Sequence, residues 1–233
     1  MHARQELHRA VQAAAGVGRA LLPAQPDSSQ ESFSWSDGRL VQGLVDAPRP
    51  FRSALRFADL TLLLLDDRDT LIDALPLEGR TLEDGFAFYE QRCSALLGRA
   101  VALPRQGAAG PFHADASELA DTARLYAQAD EILRGLDAGT VRCWPHHFDI
   151  AVLITLGGER TIGAGMSPGD AVHPDPYYYV TPWPYPAPET LPPLRAGAWN
   201  TRHWTGAVLA ANEPRAIIEG FLNEAIAILR TSR

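Results

Sequence analysis

From residue 141 to residue 183 the chain alternates β-prone runs with turn chemistry, and no other stretch constrains the fold as much. Residues 141–156 predict one long strand, Gly157-Gly158 a turn, and residues 160–165 the returning strand. Residues 177–181 and 204–210 predict two more strands. A second hairpin stands near the N-terminus, where Asp37-Gly38 separates β-prone residues 31–36 from 39–45. Two-residue turns need residues that tolerate positive φ, which Asp and Gly do. Tight turns join antiparallel strands, because parallel neighbours need long crossovers.

Four stretches predict helices. In residues 3–22, Leu7, Val11, Ala14, Ala15, Gly18, Leu21 and Leu22 share one face, Pro23 and Pro26 stop the helix, and His2 and His8 are expected to face solvent. Thr81-Leu82-Glu83-Asp84 predicts a capping box, with Leu82, Phe86, Tyr89, Cys93, Leu96 and Leu97 inward and Gly98 as the stop. Residues 116–136 start at a cap by Asp115 or Ser117, and Leu119, Ala123, Tyr126, Leu133 and Leu136 mark the buried stripe. Asn212-Glu213-Pro214 predicts an Asn cap with Pro in the first turn, followed by inward Ile218, Phe221, Leu222, Ala225 and Leu229. In residues 51–65 the run Leu60-Thr61-Leu62-Leu63-Leu64-Leu65 predicts a buried strand, with helix as the alternative.

The expected class is therefore α+β, one antiparallel sheet or two, flanked by about four helices in a single domain. Residues 1–103 and 112–233 repeat the order of elements, with 99–112 as a linker. Arg9, Val17, Arg19 and Leu21 echo Arg124, Ile132, Arg134 and Leu136 at one offset. This is expected to reflect an internal duplication of an α-β-α unit, with chance similarity as the alternative.

Composition narrows the chemistry. A net charge of −7 with no Arg-rich run argues against nucleic acid, whose partners show a basic face. All 21 basic residues other than histidine are arginine. Without lysine the chain cannot form a Schiff base, attach pyridoxal phosphate or build a Walker phosphate loop. The same usage, with abundant Ala, Gly and Pro, suggests a bacterial source. Cys93 and Cys143 are far apart and read as buried thiols of a reducing compartment. No apolar run is long enough to span a bilayer, and the first residues lack the apolar core of a signal peptide, so a cytoplasmic protein is expected.

Along a continuous 141–156 strand, Cys143, His147 and Asp149 share one face, and Trp144, His146 and Phe148 the other. His147 as a general acid or base, oriented by Asp149, is one reading; a histidine hydrogen-bonded at a strand end is the other. Ser167-Pro168-Gly169-Asp170 is a turn by its chemistry, from which Ser167 and Asp170 project. Tyr177, Tyr178, Tyr179, Trp183 and Tyr185 among prolines fit either a stiff aromatic pocket or a core. Arg202 is a candidate anion clamp, and His203 a candidate neighbour of His146 or His147. No pair of histidines has helical ligand spacing, so no metal ligand is assigned. A site assembled from His113, His146, His147, Asp149, Asp170, His173 and His203 is the alternative.

The patch Cys143-Trp144-Pro145-His146-His147-Phe148-Asp149-Ile150-Ala151, with Ser167-Pro168-Gly169-Asp170 and Pro176-Tyr177-Tyr178-Tyr179-Val180, resembles a bacterial family of domains of unknown function. In that family an aromatic-rich strand ends in a Phe-Asp-Leu-Ala-like element after a long helix; here Ile150 replaces the Leu. Residues 7–23, 75–98 and 207–230 also resemble it. The resemblance implies one cooperative unit centred on residues 144–149 and no established activity or cofactor.

These readings converge on a small-molecule-binding protein, enzymatic if His147 and Asp149 act as a pair. Its expected pocket residues are Trp144, His146, Ser167, Asp170, Tyr177, Tyr179, Trp183, Arg202 and His203. No cofactor is indicated. A non-catalytic interaction or homodimer module and a metal-dependent hydrolase are the alternatives.

Overall fold

A computed structural model describes residues 2–231 and shows an α+β chain of four α-helices and eleven strands. The chain divides into two compact units, Met1–Ala127 with Cys143–His146, and Gln128–Arg142 with His147–Arg233.

The first unit opens with α1 (His2–Leu21). A meander follows, of β1 (Phe33–Ser36), β2 (Arg39–Gln42), β3 (Phe51–Arg56), β4 (Thr61–Asp66) and β5 (Leu71–Pro76), and then α2 (Leu82–Leu97). The helix α3 (Ala116–Gly135) spans the division, and β6 (Arg142–Trp144) lies antiparallel to β1 with Phe33 opposite Cys143. The strand order here is β6-β1-β2-β3-β4-β5. Asp37 and Gly38 both have positive φ, as the hairpin between β1 and β2 requires. The leucine run is the strand β4, buried at Leu62, Leu63, Leu64 and Leu65. The strand β5, half-buried and polar at Asp73, was too weakly patterned to be read from sequence.

Helix α1 buries Ala3, Leu7, Ala10, Val11, Ala13, Ala14, Ala15 and Val17. Gly18 allows a close approach that a larger residue would block, since a Cβ there would overlap Gln30 and Gln42. His8 is not solvent-facing as expected. It is half-buried with Nε2 against the Pro145 carbonyl at 3.0 Å, while the side chain of His2 lies outside the described residues. The capping box on α2 forms as read: the Asp84 N–H donates to Thr81 Oγ1 at 3.3 Å, and the Thr81 N–H donates to Asp84 Oδ2 at 2.7 Å.

The second unit contains β7 (Asp149–Gly157), β8 (Arg160–Ser167), β9 (Tyr177–Trp183), β10 (Ala198–Asn200), β11 (Gly206–Ala210) and α4 (Arg215–Thr231). Its strand order is β7-β8-β9-β11-β10, antiparallel throughout. Residues 141–156 are therefore not one strand. Pro145 cannot donate to a ladder, Phe148 sits at φ +54, and residues 145–148 form a turn between β6 and β7. Side-chain alternation does not run from Cys143 through His147 to Asp149. Helix α4 starts later than predicted: the Ile218 N–H donates to the Pro214 carbonyl, which makes Pro214 the cap and leaves Asn212 ahead of it.

Alternation along β7, β8 and β9 gives this sheet two unlike faces. Ile150, Val152, Ile162, Ala164, Met166, Tyr178 and Val180 are buried, and α4 packs on β8, β9 and β11 through Ile218, Phe221, Leu222, Ala225 and Leu229. Fully burying a large apolar side chain is worth about 1.5–3 kcal/mol, so this layer holds the unit together. The other face carries the polar and aromatic residues.

Candidate functional site

The register of the second sheet places the site residues. Ser167 faces Tyr177, Gly165 faces Tyr179, and Gly163 faces Thr181 across β8 and β9; on the far side of β8, Gly165 faces Ala151 of β7. Residues directly opposite share a face and lie within about 5.5 Å at Cβ. On this face β8 offers hydrogen atoms at 163 and 165 where side chains would stand. A Cβ on Gly165 would come within 2.9 Å of the Tyr179 hydroxyl. The Tyr179 side chain lies across that gap, and its hydroxyl donates to Asp149 Oδ2 at the start of β7. Gly206 does the same for the opposite flank, where a Cβ would overlap the Trp204 ring and lie 3.1 Å from Thr181 Cβ.

The outcome is an open cleft of about 430 Å³ within the second unit, lined by His147, Asp149, Ser167, Asp170, Val172, Tyr177, Tyr179, Thr181, Tyr185 and Trp204. Six of these were candidates on sequence grounds: His147, Asp149, Ser167, Asp170, Tyr177 and Tyr179. The tyrosine run resolves by alternation. Tyr177 and Tyr179 face the cleft, whereas Tyr178 is buried on the α4 side, where loss of hydration pushes its hydroxyl up to about 12.

The Ser167–Asp170 turn has Gly169 at φ +103, with its N–H donating to Ser167 Oγ at 3.2 Å. Asp170 does not simply project from it. Its Oδ1 accepts the N–H groups of Val172 at 2.7 Å and His173 at 2.8 Å, and its Oδ2 accepts the Tyr177 hydroxyl at 2.7 Å. Asp170 thus ties the loop after β8 to the start of β9. Partial burial pushes its carboxyl up. The opposing donations from the His173 N–H, the Tyr177 hydroxyl and the Val172 N–H win and hold it below the ordinary value of 3.8. Burial, then the bond to Asp170, raises the Tyr177 hydroxyl well above its ordinary value, so Tyr177 stays a neutral donor.

This arrangement sets a pH dependence with a definite sign. Because the folded carboxyl is the stronger acid, ionised Asp170 stabilises the fold above the unfolded value, and that contribution vanishes as pH falls through the folded value. Wild type should therefore be more stable than Asp170→Asn at neutral pH, and the gap should close below about pH 4. Urea titrations of both proteins between pH 7 and pH 2.5 measure this. A gap constant with pH would show that the charge on Asp170 is irrelevant to the loop.

The remaining candidates do not reach the cleft. Trp144 and His146 belong to the first unit, their rings 6.2 Å apart. Trp183 is 58 % exposed and lines a separate cavity of about 310 Å³ with Arg160, Pro184 and Leu229. Arg202 and His203 are exposed on the bend before β11, His203 at φ +67, and neither lines the cleft. Arg202 is thus not an anion clamp for it. His173 packs on Tyr177 at 5.1 Å and lines a shallower neighbouring cavity, and His113 pairs with Glu78 at 2.7 Å in the first unit. Among the described residues, no group of three or more His, Cys, Asp and Glu could hold a metal ion.

Tyr185, one of the aromatics read as pocket or core, lines the cleft, and Thr181, Val172 and Trp204 complete the lining without having been singled out as site residues. A signal for their neighbourhood was present: Gly163 and Gly165 alternate within a strand, which leaves one face bare for a large side chain from the next strand. No helix among the described residues is long and apolar enough to cross a membrane. No family model, curated protein or solved structure matches the chain.

Proposed function

We propose that the protein binds a small molecule in the cleft on the open face of the second sheet. The observation that carries this reading is the convergence, inside one unit, of Asp149, Ser167, Asp170, Tyr177, Tyr179 and Trp204 around a cavity of about 430 Å³. Pockets of a few hundred Å³ with aromatic walls and a few placed polar groups are the usual form of a small-molecule site. His147 is the acid/base group of this reading. It is exposed at the rim, where a bound molecule can meet it. Asp149, 7 % exposed and held by Tyr179, lines the same cleft and is the carboxyl group of the pair. The two buried cysteines, Cys93 and Cys143, form no disulfide, which supports a reducing compartment.

His147→Ala tests the assignment. An exposed turn residue contributes little to stability, so the midpoint of unfolding should move by less than about 0.5 kcal/mol. Saturable binding of any hit from a thermal-shift screen of metabolites should fall by about tenfold or more, or turnover should be lost. Loss of the fold with no separable change in binding would assign His147 a structural role instead.

The internal duplication stays part of this proposal. It is supported by the element order: α1, antiparallel strands and α2, followed by α3, a second set of antiparallel strands and α4.

A further inference from the structure

We infer that the ligand of this cleft is an organic cation, an ammonium or amidinium borne on an apolar or aromatic body, an inference that rests on reading the cleft as a small-molecule site. The first support is charge. The lining holds two carboxylates, Asp149 and Asp170, and no arginine, in a chain that has no lysine at all. An anionic ligand would meet like charge with no arginine or lysine to offset it, and a cation would meet opposite charge on partly dehydrated walls.

The second support is the direction of the hydrogen bonds. The Tyr179 hydroxyl donates to Asp149, the Tyr177 hydroxyl donates to Asp170, and the Thr181 hydroxyl donates to the Thr205 carbonyl at 2.9 Å. Each hydroxyl has one proton to give, so these donors are committed within the protein. Asp170 stays ionised at neutral pH, as its lowered value requires. Three of the hydroxyl protons in the lining are therefore already given to acceptors of the protein, which weakens the site for a carboxylate or phosphate.

The third support is the rings. Tyr177 and Tyr179 lie 6.3 Å apart at 56°, and Tyr179 and Trp204 lie 6.4 Å apart at 80°. They are splayed rather than stacked, so their faces are not consumed by one another. Tyr185, 46 % exposed, adds a fourth ring at the mouth. Aromatic faces attract cations through the ring quadrupole, and a site that combines such faces with carboxylates favours an ammonium over a neutral isostere.

The test compares three probes of similar size on the full chain by isothermal titration calorimetry: phenethylammonium, 2-phenylethanol and 3-phenylpropanoate. The cation should bind at least about tenfold more tightly than the alcohol, the carboxylate should not bind detectably, and added salt should weaken the cation. Asp170→Asn should lower the affinity for the cation by about tenfold. Since that variant also loosens the loop, Val172→Arg is the second. Val172 is 57 % exposed, so the substitution leaves the fold intact and brings a positive charge to the lining. It should abolish the preference for the cation and raise affinity for the carboxylate. Equal or better binding of the alcohol or carboxylate to wild type, with Val172→Arg silent, overturns the cation assignment and leaves the small-molecule reading standing. No saturable binding of any probe also overturns it. The small-molecule reading then falls only if the metabolite screen finds no ligand either.

Discussion

Replacing Gly165 by valine is expected to destabilise the second unit by about 3 kcal/mol and to abolish ligand binding in the cleft. The position leaves no room for a side chain. A Cβ would stand 2.6 Å from Ala151 Cβ, 2.6 Å from the Ile150 carbonyl oxygen and 2.9 Å from the Tyr179 hydroxyl. Two of those three neighbours belong to the β7 strand, and one is backbone, so neither can swing aside as a flexible side chain would. Forcing extra methyl groups into a packed layer usually costs about 1–3 kcal/mol, and a strand that cannot retreat puts this site at the upper end. In a chain of this size that corresponds to a fall of roughly 6–12 °C in the unfolding midpoint. The Tyr179 hydroxyl would also lose its place beside Asp149, which removes one wall of the cleft. Thermal unfolding followed by circular dichroism, with calorimetric titration below the midpoint, measures both effects. A valine variant within 1 kcal/mol of wild type would falsify the account of the glycines in β8 as a floor for the tyrosine.

Tyr89→Ala should cost a comparable or larger amount, about 3–5 kcal/mol, in the first unit. The Tyr89 side chain is fully buried, and its hydroxyl lies 2.9 Å from the Ala54 carbonyl and 3.0 Å from the Leu63 carbonyl. Ala54 and Leu63 are opposite one another in the β3–β4 ladder, so one hydroxyl on α2 addresses both strands at a single rung. Burial pushes the pKa of the hydroxyl far above its ordinary value, which keeps the group a neutral donor. Truncation removes the hydrogen bond and opens a ring-sized cavity, and the cavity term dominates. Tyr89→Phe separates the two contributions, since it removes only the hydroxyl and should cost about 1 kcal/mol. Urea denaturation of the three proteins distinguishes them. A phenylalanine variant as unstable as the alanine variant would show that the hydrogen bond, not the packing, holds α2 to the sheet.

Much of the local structure could be read without coordinates because each signal acts over a few residues. The capping box at Thr81 and Asp84 involves groups three residues apart, and the Asp37-Gly38 turn follows from backbone sterics alone. The apolar spacing of Ile218, Phe221, Leu222, Ala225 and Leu229 identifies the buried face of α4 whatever it packs against. The misreading of residues 141–156 has an equally local origin. β-prone residues on both sides of Pro145 outweighed the proline, and nothing in residue type foretold the positive φ of Phe148. At Asn212 the cap chemistry was sound, but Pro214 takes the capping position and the helix begins after it.

The candidate site divides the same way. Ser167, Asp170, Tyr177 and Tyr179 were accessible because turn chemistry and strand alternation bear on them directly. Trp183, Arg202 and His203 were chosen for residue type in a nearby segment, and residue type says nothing about which way a loop turns. Trp204, one residue beyond His203, lines the cleft because Gly206 lets its ring fold back over β9, a contact between strands that no local rule supplies. The sequence by itself determined the class, the hairpins, the buried helix faces and the lysine-free chemistry, since propensity, periodicity and composition are properties of short segments or of the whole chain. Only the tertiary structure decided that Asp149 meets Tyr179, that Asp170 meets Tyr177, and that these pairs share a cleft with Trp204. Strand register brings together residues as much as 30 positions apart, and it depends on packing of the whole sheet against α4.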